Sequence, residues 1–97
     1  GEELIRMVTL RREAQKLGVE KIYLKGGRMN LFFVDARNDK FYSSDLFGGI
    51  MSYIEKSQFN CMVRDNDGRC IITVENVKNV ETALLFIEDI KRYSIGI

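Results

Sequence analysis

Two adjacent glycines, Gly26 and Gly27, interrupt a stretch that alternates apolar and polar residues on both sides. The flanking runs, KIYLK and RMNLFFV, repeat with period two, as half-buried strands do. A two-residue link between antiparallel strands needs positive φ at both central positions in a type I′ turn, and glycine adopts it without steric penalty. With Gly26-Gly27 at the turn, Leu24 faces Met29 and Ile22 faces Leu31, all on one side. Turn and apolar pattern therefore specify the same register. A phosphate-cradling loop would instead require GxxxxGK[ST] between a strand and a helix. Here a strand follows, and no Lys-Ser or Lys-Thr comes after the glycines. The segment is a hairpin, with strands expected over 21–25 and 28–34.

A second hairpin is expected over 59–64 and 69–75, joined by Asp65-Asn66-Asp67-Gly68. Phe59, Cys61 and Val63 share one parity and Cys70, Ile72 and Val74 the other, so the two sets meet on one face. The DNDG stretch suggests calcium, but a loop with its glycine at Gly68 would start at Val63 and end at Val74. Neither can supply a carboxylate, so an EF-hand is excluded. Turn chemistry accounts for these residues.

Helices are expected around the hairpins. Over 2–17, Met7, Leu10, Ala14 and Leu17 fall on one stripe and Gly18 is the natural stop. Residues 35–43 read as a polar loop. Ser43 or Ser44 caps a second helix, with Leu46, Phe47, Ile50, Tyr53 and Ile54 on its inner face. Asn79 caps a third over 80–93, with a core arc of Val80, Ala83, Leu84, Ile87 and Ile90 and with Leu85 nearly opposite. The order helix–hairpin–helix–hairpin–helix gives an α+β fold, an antiparallel sheet packed with helices. At 97 residues the chain is one domain, 1–97. Strand order does not follow from the pattern.

Composition narrows the chemistry. Fifteen basic and 14 acidic side chains leave a net charge of +1, unlike a dedicated nucleic-acid binder, and leave room only for a local basic patch. No histidine is present, which removes Ser-His-Asp and Cys-His catalysis. The two cysteines, Cys61 and Cys70, cannot make a four-ligand zinc site and read as small apolar residues. No carboxylate pair is forced into a cleft by spacing, and no dinucleotide fingerprint occurs. No catalytic, cofactor-binding or metal-binding residue is expected. KGGRMNLFF is faintly like an RNA-stacking strand, but its aromatic positions hold Gly27 and Met29. Phe33 belongs to the Leu31 face; only Phe32 and Tyr23 lie opposite, and Phe32 is expected to pack under a helix or a neighbouring domain. No run is long enough for a membrane span, and the start lacks a signal peptide. The chain begins at Gly1 without an initiator methionine and is expected to be a piece of a longer protein.

Surplus apolar surface is the positive signal. On the first helix Ile5 and Val8 point away from the core stripe, with Leu4 at its edge and Arg11, Arg12 and Lys16 nearby. Arginine beside large apolar groups is typical of protein interfaces. Leu4, Ile5, Val8, Arg11, Arg12 and Lys16 are therefore the expected docking residues. Gly18, Gly26, Gly27 and Gly68 are expected to be structural turn positions. The alternative is an independent α+β nucleic-acid-binding module.

Residues 10–33, with Leu10-Arg11, Ala14, Leu17-Gly18, Val19 and then Lys25-Gly26-Gly27 before an apolar strand, resemble the C-terminal domain of bacterial transcription-repair coupling factors. The resemblance implies a regulatory domain without an ATPase motif, cut from a cytoplasmic, ATP-driven double-stranded DNA translocase. In that family the domain packs on an N-terminal UvrB-like module and covers the surface needed by UvrA, until the protein engages stalled RNA polymerase. ATP and Mg would belong to the motor domains of the longer protein, and DNA would be bound by its other domains. Leu10, Ala14, Leu17, Gly18, Gly26 and Gly27 match the pattern as structural residues. Of the docking residues only Arg11 lies on the matched motif.

Overall fold

Lys25 pairs with Arg28, Leu24 with Met29 and Ile22 with Leu31 across the Gly26-Gly27 bend, where φ is 60° and 77°. The computed structural model describes residues 2–95. Its elements are α1 (Glu2–Gln15), β1 (Val19–Lys25), β2 (Arg28–Phe33), α2 (Asp39–Tyr42), α3 (Asp45–Lys56), β3 (Cys61–Asn66), β4 (Arg69–Glu75) and α4 (Val80–Ile95). The fold is α+β. The strands form one antiparallel sheet in the order β1-β2-β4-β3, so the second hairpin joins the first through β4.

One face of the sheet carries the core. Ile22, Met29, Leu31, Phe33, Ile72 and Val74 are buried there against Leu10 and Ala14 of α1, Leu17 in the turn after it, Ile50 and Tyr53 of α3, and Phe86, Ile87 and Ile90 of α4. The helix caps are local and polar. Ser44 Oγ accepts from the Phe47 amide at 3.2 Å, and Asn79 Oδ1 accepts from the Thr82 amide at 2.8 Å. Each satisfies a donor that the first helical turn leaves without a partner.

Four expectations change. β1 begins at Val19, because the register shifts between Val19 and Lys21 and puts two buried positions, Val19 and Ile22, three apart. The second turn is Asp67-Gly68 alone, with Asn66 opposite Arg69 and φ of 54° and 87° at its two central residues. Val63 shares the core-side parity yet is 47% exposed, because β3 is an edge strand. The stretch 35–43 is not a plain loop. Asn38 caps the short α2, whose Phe41 and Tyr42 rings pack with Phe47 at 5.3 and 5.0 Å. The Tyr42 hydroxyl donates to the Val34 carbonyl at 2.5 Å and accepts from the Cys70 amide at 3.0 Å. It thereby bridges the two strands just where the β2–β4 ladder stops at Phe32 and Ile71.

Candidate docking surface

The inner stripe of α1 positions its outer face. Leu10, Ala14 and Leu17 are buried, and the helix stops where Gly18 turns the chain at φ 84°. Two charged contacts seat α1 along α4. Arg6 pairs with Glu81, and Lys91 donates to Glu13 at 2.5 Å. Lys16 reaches the other oxygen of Glu13 at 2.8 Å. These two ammonium groups hold the Glu13 carboxyl well below the ordinary range, at about 2. A carboxyl with a depressed folded pKa stabilises the fold above its unfolded value, and that contribution fades as the pH falls towards 2. In thermal melts between pH 7 and pH 2, Glu13→Gln should lose about 1–3 kcal/mol at neutral pH, as for hydrogen bonds to charged groups. The gap from the parent chain should close by about pH 2, and a gap independent of pH would contradict the ion-pair geometry.

With its inner face fixed, α1 presents Leu4 and Ile5, each 67% exposed, and Val8, 53% exposed. Arg11 and Arg12 are exposed on the same helix, and Lys16 is exposed in the turn that follows it. The six residues share the solvent side of this segment, but they do not form one compact patch. Helical geometry spreads them from the β1 flank, where Arg11 lies, to the opposite flank with Lys16. Arg11 and Gln15 line a groove of about 290 Å³ beside Glu20, Lys21 and Tyr23 of β1. Lys16 is engaged by Glu13, which makes it the least available of the six. Leu85, 69% exposed, lies one turn along α4 from Glu81. Neither the groove beside β1 nor the place of Leu85 near α1 follows from helix periodicity, since both depend on which elements become neighbours.

The turn glycines sit at positive φ throughout: Gly18, Gly26, Gly27 and Gly68. Burial pushes both thiols up, Cys61 modestly and Cys70 to about 11 with help from the Asp65 charge, so neither is an activated nucleophile. The described residues include no cluster of three or more His, Cys, Asp or Glu able to hold a metal ion, and no buried charged side chain. No described helix is long and apolar enough to cross a membrane.

The far side of the sheet is uncovered. Tyr23, Asn30, Thr73 and Met62 lie in one row across β1, β2, β4 and β3, outside the core, with Tyr23 52% and Met62 60% exposed. Phe32 sits on this side, half-buried, with no described helix above it, so of the two expected covers, a helix or a neighbouring domain, the helix is not the one. Its ring meets Tyr23 edge to face at 5.5 Å.

These features define a two-layer α+β domain, helices on one face of an open antiparallel sheet. A solved structure with the same fold is the crystal structure of the C-terminal domain of transcription-repair coupling factor, at TM-score 0.60 and 15% identity, covering 96% of this chain. The match spans 58% of that solved chain, and at this identity the likeness is one of fold. No protein-family model matches the sequence, and no curated protein matches it.

Proposed function

We propose that this chain is a non-catalytic regulatory domain of a transcription-repair coupling factor, docking through the outer face of α1 on another module of the same protein. The single observation that carries the reading is the outer face of α1, where exposed Leu4, Ile5 and Val8 stand beside Arg11 and Arg12. Apolar anchors flanked by arginine favour a protein partner over a small molecule. The shared fold supports the choice of protein, and the motif over 10–33 supports it independently.

The occupant of α1 in this reading is the N-terminal UvrB-like module, and docking masks its UvrA-binding surface while restraining the ATP-dependent translocase. The longer protein displaces stalled RNA polymerase from DNA in the bacterial cytoplasm and recruits excision repair. Tethering makes such a clasp workable. A linked domain meets its target at an effective concentration around millimolar, so a small interface stays closed. A bias of about 1–3 kcal/mol keeps it switchable.

In the longer protein carrying this domain, Arg11→Glu with Arg12→Glu should increase UvrA capture and basal ATPase by roughly 5- to 100-fold, the range such a bias allows. Wild-type values for both measurements would overturn the reading. Circular dichroism of the variant separates loss of docking from loss of fold, because both arginines are exposed.

A further inference from the structure

We infer that the uncovered face of the sheet, on the opposite side from the helices and meeting the α1 surface only at the β1 edge, is a binding platform for single-stranded nucleic acid. The face has a charge pattern that the whole chain lacks. Lys21, Lys25, Arg28 and Arg64 project from it beside two strand carboxylates, Glu75, which is already taken by Arg28 at 3.0 Å, and Glu20 at the start of β1. At the far end Arg69 is matched by Glu20 at 3.3 Å and by Asp35 at 3.6 Å. Lys21, Lys25 and Arg64 have no ion-pair partner among the described residues. The net charge of the chain is only +1, so the positive potential is concentrated on this face and the remaining surface is net acidic. Such a face attracts a polyanion.

The aromatic side of the face distinguishes among polyanions. Tyr23 and Phe32 meet at an interplanar angle of 88°, so one ring presents its face where the other presents its edge. Beside them, Thr73 Oγ1 donates to Asn30 Oδ1 at 2.7 Å and accepts from Arg64 Nη2 at 3.4 Å. The Asn30 amide donors then have no partner among the described residues and stand ready for a base-edge acceptor. Arg28, Asn30, Met62, Arg64, Thr73 and Glu75 line a shallow groove of about 230 Å³ on this face. A ring pair on edge strand β1 and its neighbour β2, with Lys21 and Lys25 on either side of Tyr23, suits unstacked bases and their phosphates. An acidic peptide would use the cations and leave the rings without a partner. A duplex would leave its bases stacked internally and out of reach of Tyr23.

Fluorescence anisotropy of the 97-residue chain with labelled oligo-dT and oligo-U 20-mers, a duplex of equal length and polyglutamate tests this. Micromolar binding of the single strands at 50 mM salt is expected, weakening roughly 20-fold at 200 mM as three cations imply. Tyr23→Ala should weaken it roughly tenfold or more, while Tyr23→Phe, which keeps the ring, should retain it. Lys25→Glu with Arg64→Glu should weaken it further, and Lys56→Glu on the helical layer should leave it unchanged. Tyr23 is half exposed, so its variants keep the core intact. Absence of single-strand binding at 50 mM salt would overturn the proposal. So would binding indifferent to Tyr23→Ala, or equal binding of the duplex or of polyglutamate, since each would mean that the rings read nothing.

Discussion

Phe86→Ala should remove a large share of the chain's stability. Phe86 is fully buried on α4, with Tyr53 of α3 and Phe59 ahead of β3 edge-on to its ring at 5.7 and 5.2 Å. Truncating a buried phenylalanine costs about 3–5 kcal/mol, partly in transfer energy and partly in the cavity left behind. The neighbours cannot readily close that cavity. The Tyr53 hydroxyl donates to Asp89 at 2.8 Å, and this bond holds its ring in place. A domain of this length has about 5–15 kcal/mol of stability in all. Urea titration should show a midpoint lowered in proportion, with the slope unchanged. Leu85→Ala, one residue away and exposed, should move stability by no more than about 0.5 kcal/mol. Comparable losses in the two variants would mean that the inner face of α4 is misassigned.

The contrast between Phe86 and Leu85 marks what the pattern reveals of a helix. Val80, Ala83, Ile87 and Ile90 are buried as their spacing requires, but a single stripe leaves out Phe86 and includes Leu84, which is only half-buried. α4 is packed by α1 on one flank and α3 on the other, and the sheet lies beneath, so its buried arc is wider than one stripe. Hairpins are more legible, because turn residues and apolar parity state the register twice. Thus Leu24 opposite Met29 can be read directly, and the side of Tyr23 and Phe32 follows from the same alternation, whereas Cys61 opposite Val74 depends on the second turn being Asp67-Gly68 alone. The pairing of β2 with β4 cannot, since nothing local joins residues so far apart in the chain. α2 is too short to display a period, and its Phe41 and Tyr42 lie among polar neighbours.

The surface follows the same division. Exposure of Leu4, Ile5 and Val8 is a property of one helix and is visible in its spacing. The basic and aromatic character of the open face is not. It arises from four strands, and Arg64 joins Lys21 only because β4 lies between β2 and β3. A net charge of +1 conceals this by averaging over the whole surface. The two surfaces adjoin at the β1 edge, where Arg11 shares a groove with Lys21 and Tyr23.

Gly18→Ala should be one of the two most damaging turn substitutions, because two penalties coincide there as they do at Gly68, where φ is +87° and a Cβ would fall 2.6 Å from that of Ala36. The residue sits at φ +84°, where a non-glycine side chain costs about 1–2 kcal/mol. A Cβ at this position would also fall 2.3 Å from the Phe41 ring, inside contact distance. That ring is stacked on Phe33 at 6.0 Å and meets Phe47 at 5.3 Å, so it has little freedom to withdraw. Overpacking of this kind adds about 1–3 kcal/mol. The combined loss, about 2–5 kcal/mol, should lower the melting temperature by roughly 10–40 °C. Gly26→Ala provides the comparison. Its φ is +60° and its Cβ would meet nothing within 4 Å, so only the conformational penalty applies. Equal melting temperatures for the two variants would show that the Phe41 ring yields and that the contact does not decide. Gly18→Ala with Phe41→Leu should recover part of the gap if the ring is the obstacle. The Gly18 amide donates to the Gln15 carbonyl at 3.1 Å, and its own carbonyl accepts from Val34 at 3.0 Å. One residue therefore ends α1 and ties that end to the strand beneath it. Loosening it should misdirect the helix that carries Leu4, Ile5 and Val8, so in the longer protein Gly18→Ala should weaken docking at temperatures where the domain is still folded.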